Sequence, residues 1–182
     1  MVEIIKANEN DIEDLMSIRL EMLRGVNGMS ESEDFSQTLV DSSRDYFLHG
    51  EQTTLLAKDG ERVIGCASIS YIWIMPTFSH PTGKRAHLMN VYTASSYRRQ
   101  GLARRMVKML IKEARERGCT EISLDATEEG RPLYKALGFV ENSEGMCLAL
   151  SVLSSLREPP LLHSQQARRQ QQQVRQQLYR PQ

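Results

Sequence analysis

Residues 90–104 read Asn90-Val91-Tyr92-Thr93-Ala94-Ser95-Ser96-Tyr97-Arg98-Arg99-Gln100-Gly101-Leu102-Ala103-Arg104. The stretch is a strand end, a short basic loop, small residues and the start of a long helix. The first turn of a helix leaves backbone N–H groups without partners, and the helix dipole adds partial positive charge there. A loop whose amides converge on that point makes an anion nest. Gly101 and Ala103 lack bulk, so a phosphate can approach the backbone. Arg98, Arg99, Arg104 and Arg105 raise the local positive potential. The pattern therefore reads as a diphosphate site. The chain has no GxxxxGK(S/T) run, which disfavours a P-loop nucleotidase. It has no GxGxxG run either, which disfavours the dinucleotide fingerprint. A basic loop that merely caps a helix accounts for these residues equally well at this point.

Strands and helices alternate outward from that stretch. Before it, residues 85–93 read as a strand; after it, 102–117 read as an amphipathic helix. Leu102, Met106, Val107, Leu110, Ile111 and Ala114 make one face of that helix, and Gly118 stops it. Further upstream, residues 2–6 are a short opening strand. Asn8 caps a helix whose inner face carries Ile12, Leu15, Met16, Arg19, Met22 and Leu23. A second helix is expected over about 32–48. Residues 53–58 and 62–74 are strands joined at Asp59-Gly60, a hairpin signal. Downstream, 121–126 is a strand, 131–137 a short helix ended by Gly138, and 139–141 and 146–150 are closing strands. The order βααβββαβαββ predicts a mixed α/β sheet with helices against it.

The chain has 182 residues, of which 40% are hydrophobic, enough for one domain with a real core. Its zero net charge, 23 basic against 23 acidic residues, hides two unlike pieces. Residues 151–182 hold five arginines and one acid, Glu158, and half of 165–182 is glutamine. Such low-complexity sequence buries too little apolar surface to offset chain entropy. The expected division is a domain over 1–150 and a Gln/Arg-rich tail over 151–182, disordered or loosely helical. The tail has one aromatic, Tyr179, which disfavours nucleic-acid binding. No apolar run is long enough to span a bilayer, and the N-terminus lacks the order of a signal peptide. Cys66, Cys119 and Cys147 are odd in number, without a CxxC pair, and the four histidines show no ligand spacing. A cytoplasmic protein without membrane association or a metal site is expected.

Arg98-Arg99-Gln100-Gly101-Leu102-Ala103 matches the pattern Arg/Gln-x-x-Gly-x-Gly/Ala, and so resembles the GCN5-related N-acetyltransferases (GNAT). Leu133-Tyr134-Lys135-Ala136-Leu137-Gly138-Phe139 is similar to that family's recurring LYxxxGF signature. The two motifs stand in order, about 30 residues apart, each in the right structural context. The resemblance covers most of residues 1–150. It implies the GNAT fold: a mixed, mostly antiparallel sheet of six to seven strands, with helices on both faces and a splay between the central strands.

The resemblance also implies roles. Acetyl-CoA is the co-substrate, its pyrophosphate held by Arg99, Gln100, Gly101, Leu102, Ala103 and Arg104, mainly through backbone N–H groups. Val91, Tyr92 and Thr93 pair with the pantetheine as if it were an added strand. Tyr134 is the general acid that gives a proton to the CoA sulfur, and a backbone N–H near Tyr92 is the oxyanion donor. The implied activity is acetyl transfer to a primary amine by direct attack in a ternary complex. A non-catalytic acyl-CoA-binding module is the alternative, against which an intact Tyr134 argues. Candidate bases are Glu128, Asp125, His87, His80 and Asn90 through a water; a water relay needs none of them. Where the family often has asparagine, this chain has Asp125-Ala126-Thr127-Glu128-Glu129-Gly130-Arg131-Pro132. Thr127, Glu128 and Arg131 thus stand as cofactor candidates without a matching family residue.

The acceptor, a small-molecule or peptide amine, is expected between residues 25–30, the second helix and loop 76–84. Trp73, Phe78 and Tyr71 are candidate lining residues. Glu31, Glu33 and Asp34 make that side acidic, which favours a cationic amine, although ordinary helix capping explains them too. A homodimer is left open.

Overall fold

The hairpin expected at Asp59-Gly60 forms the centre of the sheet. The computed structural model describes residues 1–141; the expected strand at 146–150 and the tail 151–182 lie outside the described residues. Strands β2 (Gln52–Asp59) and β3 (Arg62–Trp73) pair antiparallel about a turn in which Gly60 takes φ +59°. That left-handed conformation costs glycine nothing. With β1 (Val2–Lys6), β4 (Lys84–Thr93) and β5 (Glu121–Leu124) they make one sheet in the order β1-β2-β3-β4-β5. Every pairing is antiparallel except β4 with β5, which is parallel.

Period-two alternation gives each face of the sheet its own helix. Leu55, Ala57, Ala67, Ile69, Ala86 and Leu88 face α3 (Leu102–Glu116), which buries Leu102, Met106, Val107, Leu110 and Ala114 against them. Burial stabilises each such large side chain by roughly 1.5–3 kcal/mol, so this stripe anchors the helix. Leu56 and Cys66 point the other way and meet Leu15 and Ile18 of α1 (Ile12–Asn27). Helix α2 (Gln37–His49) packs beside α1, tied by Arg44 to Glu13 at 2.7 Å.

Three expectations need correction. Asn8 caps a single 3-10 turn, Glu9–Asp11, through a capping box, and α1 begins after it. Helix α2 starts at Gln37 rather than near 32, because Ser36 Oγ caps Leu39 N. Residues 30–33 are held in a turn instead: Arg24 donates to the Ser30 and Glu33 carbonyls and stacks on Phe35. Residues 139–141 form no strand. The Phe139 N–H closes the end of α4 (Arg131–Ala136) on the Tyr134 carbonyl, 3.0 Å, and its ring packs on Tyr134. The described residues thus hold five strands, against six to seven expected.

Far from the nest, Glu113 of α3 joins three elements. Its Oε1 accepts from Lys6 Nζ and Thr53 Oγ1, both 2.8 Å, and from Arg117 Nη2 at 3.0 Å. Burial alone pushes this carboxyl up, but the hydrogen bonds from Lys6, Thr53 and Arg117 outweigh it and bring it down to about 2. A depressed folded-state pKa stabilises above the unfolded value and loses that stabilisation as pH falls towards 2. Thermal melts from pH 7 to pH 2 should therefore show Glu113→Gln clearly destabilised at pH 7. The gap should narrow from about pH 4.5 downward. A gap independent of pH would show that Glu113 contributes only packing.

Candidate active site

Strand β4 outruns its parallel neighbour. The β4–β5 pairs run from Arg85↔Glu121 to Leu88↔Leu124, where β5 ends, and β4 continues to Thr93. This is the splay. It begins beside a β-bulge: Ser68 faces Met89 while Cys66 faces Tyr92, so β4 carries one extra residue between them. Asn90 occupies the bulge with φ +54°, a conformation that asparagine tolerates better than most side chains.

After the bulge the main-chain directions are fixed. Ala94 N donates to Ile64 O on β3, and Tyr92 pairs with Cys66. By alternation Val91 and Thr93 turn their main-chain groups away from β3, towards the gap β5 leaves. The free edge is therefore lined by Val91 and Thr93, whereas the Tyr92 amide faces β3. The Tyr92 side chain leaves on the α1 side and donates to Glu21 Oε1 at 2.9 Å.

The edge runs directly into the nest. A 3-10 turn, Ser95–Tyr97, is pinned by the Tyr97 hydroxyl to Asp59 at 3.0 Å. Arg98 Nε donates to the Thr93 carbonyl and Gln100 Nε2 to the Ser96 carbonyl, so those two side chains brace the loop. Arg99 takes φ +62° and Gly101 φ +78°, which turns successive amides the same way. The first α3 backbone bond is Arg105 N to Gly101 O. The N–H groups of Arg99, Gln100, Gly101, Leu102, Ala103 and Arg104 have no partner among the described residues. Leu102 is buried while Gly101 and Arg104 are exposed, so its side chain anchors the turn. A Cβ built on Gly101 meets nothing within 4 Å: the space before the nest is open.

Tyr134 lies in α4, half-buried against the cluster that also packs Val91 and Leu124. Its ring meets Phe139 edge-on, 5.8 Å between centroids. Its hydroxyl has no hydrogen-bond partner among the described residues. Burial pushes the phenol pKa up, so it holds its proton across neutral pH. Gly130 lets the ring sit close, since a Cβ there would come within 3.0 Å of Tyr134 Cε2.

The structure sorts the base candidates. His87, paired with Ser123 one step before β5 ends, stands at the mouth of the splay, with Nδ1 2.9 Å from Ser123 Oγ and Nε2 3.9 Å from Asp125. His80 contacts Thr120 and Glu121, at the opposite end of β5. Glu128 is paired with Arg131 at 3.2 Å. Asn90 is buried and fully engaged. Its Oδ1 accepts from Arg19 Nη1 at 3.0 Å, and its Nδ2 faces Ser68 Oγ at 3.3 Å and Cys66 Sγ at 3.5 Å. Burial pushes the Cys66 thiol up to about 12 and raises Cys119 as well, so neither provides a thiolate at neutral pH.

The acceptor side differs from expectation in two residues. Tyr71 turns onto the α3 face, where its hydroxyl donates to Thr53 and Arg117 stacks on its ring at 4.1 Å. Trp73 and Phe78 stay exposed at the end of β3 and in the following loop. Glu33 is spent locally: its carboxylate accepts from Ser30 N at 2.6 Å, a bond that also lowers its pKa. No group of three metal-binding side chains occurs among the described residues, and no helix among them is long and apolar enough to cross a membrane.

Comparison with known proteins identifies the family. The profile of the acetyltransferase (GNAT) family matches residues 12–139, and the chain belongs to that family. A predicted acetyltransferase from Clostridium acetobutylicum, solved with acetyl-CoA, is 31% identical and superposes with a TM-score of 0.72, over 82% of this chain and 96% of that one. The glucosamine 6-phosphate N-acetyltransferase of Trypanosoma brucei brucei is 33% identical over 49% of this chain and 58% of its own length. The thialysine N-epsilon-acetyltransferase of Bos taurus is 28% identical over 54% of this chain and 59% of its own. The matched part of this chain spans about half the length of these curated relatives.

Proposed function

We propose that this chain is an acetyl-CoA-dependent N-acetyltransferase, which moves the acetyl group to a primary amine by direct attack in a ternary complex. The observation that carries this reading is continuity. The edge at Val91 and Thr93, which no strand pairs among the described residues, leads within one short loop to six unpartnered amides at 99–104. An extended amide-bearing chain ending in a diphosphate fits both parts at once. The glucosamine 6-phosphate, thialysine and aminoglycoside acetyltransferases among its relatives supply the amine class of acceptor.

Bound acetyl-CoA supplies a thioester carbonyl. The N–H of Val91, turned to the gap, stabilises negative charge on that oxygen. The Tyr134 hydroxyl donates its proton to the departing sulfur, whose basicity is close to that of a phenol. With both described thiols held protonated, no acyl-enzyme step is needed. The test is thiol release from acetyl-CoA with a panel of amines. Release that depends on one class of amine is expected. Tight CoA binding with no amine raising release above hydrolysis would assign a non-catalytic binding module instead.

A further inference from the structure

Arg19 is the feature that the acetyl-transfer reading leaves unused. It lies on the inner face of α1 with Leu15, Met16 and Met22, where apolar residues belong, and is half-buried. Guanidinium groups taken from water normally meet a carboxylate. Other partly covered cations here follow that rule: Lys58 with Asp11 and Asp14, and Arg85 with Glu121. Arg19 has no acidic partner among the described residues. Its one hydrogen bond goes to a neutral amide oxygen, Asn90 Oδ1 at 3.0 Å, which leaves most of its five donors unused. Burial lowers its pKa, as expected for a cation without a counter-ion.

Its position gives the deficit a meaning. Asn90 sits in the bulge two residues past the last β4–β5 pair and one residue before Val91. Arg19 meets it from the α1 face, opposite to α3. The cation is therefore beside the bulge that precedes Val91 on the proposed acetyl-CoA track, on the α1 side of the sheet, next to the helices between which the acceptor is expected.

We infer that Arg19 recognises an anionic group of the acceptor, so that the substrate class is an amine carrying a carboxylate or phosphate. This rests on the acetyltransferase reading above. The Asn90 bond aims the guanidinium and leaves one planar edge for a bidentate anion contact. Glu33, bound to Ser30, does not compete for the cation.

Matched acceptor pairs test the inference: glucosamine 6-phosphate against glucosamine, and lysine against cadaverine. The first pair reads phosphate, the second carboxylate. Wild type should favour the anionic member of at least one pair by about tenfold or more in kcat/KM. Arg19→Gln should collapse that ratio, and Arg19→Lys should restore part of it. Equal use of both members of each pair, or a loss in Arg19→Gln that leaves the ratio intact, would overturn the inference and make Arg19 a brace for the bulge. A second arm needs no turnover. With the protein saturated with CoA, inorganic phosphate or acetate should raise the melting temperature of wild type and not of Arg19→Gln. An equal rise in both proteins, or none in wild type, overturns the inference. If CoA itself gives no rise, the acetyltransferase reading fails separately.

Discussion

Gly101→Glu is expected to weaken acetyl-CoA binding by about 100-fold or more, a loss of roughly 3 kcal/mol, while the fold is kept. Two effects act together. Gly101 holds φ +78°, which other residues adopt at a cost of roughly 1–2 kcal/mol. A Cβ there enters open space rather than protein, so the substitution does not disturb packing. The added carboxylate stands before the amides of 99–104 and competes with the diphosphate for them. Calorimetric titration with CoA, beside circular dichroism of the variant, checks both halves. Gly101→Ala separates them, because it carries the backbone strain without the charge, and its loss should be much smaller. Unchanged affinity in Gly101→Glu would remove the diphosphate from the N-terminus of α3.

Tyr134→Phe should lower kcat by about 100-fold or more with little change in the KM for acetyl-CoA. The ring contact with Phe139 and the close approach of Gly130 survive the change, since only the hydroxyl is lost. A residue that donates a proton in the transition state affects kcat, whereas one that holds ground-state substrate affects KM. Burial raises the Tyr134 pKa, so loss of the acid should appear only above the ordinary phenol range near 10. A variant with wild-type kcat would reduce Tyr134 to a packing residue.

Much of this was legible in the chain because it is local. The α3 stripe, the Asp59-Gly60 turn and the basic loop before α3 each depend on residues a few positions apart, so spacing brings them out; that the loop is an anion nest at 99–104 rather than a plain helix cap came from the resemblance. The splay and the role proposed for Tyr134 came from resemblance, since no local pattern tells where a parallel strand stops. What was missed depends on which of several short-range bonds the chain makes at an element's end, which spacing does not decide. The start of α2 is displaced because Arg24 holds residues 30–33 from another helix. The strand expected at 139–141 gives way to a helix end that Phe139 closes. The bulge had a weak signal in Asn90, a polar residue between the apolar pairs Leu88-Met89 and Val91-Tyr92. Arg19 had a stronger one, a cation in the middle of the buried face of α1, but only the fold shows that no acid meets it.

The central claim is that one track, the Val91–Thr93 edge followed by the α3 nest, receives acetyl-CoA. Amide hydrogen exchange with and without CoA measures it residue by residue. Protection is expected at Val91, Thr93 and 99–104, whose N–H groups are otherwise unpartnered or on a free edge. Protection confined to another surface, such as the acidic concavity of α2 lined by Asp41, Asp45, Tyr46 and His49, or none at all, would contradict it.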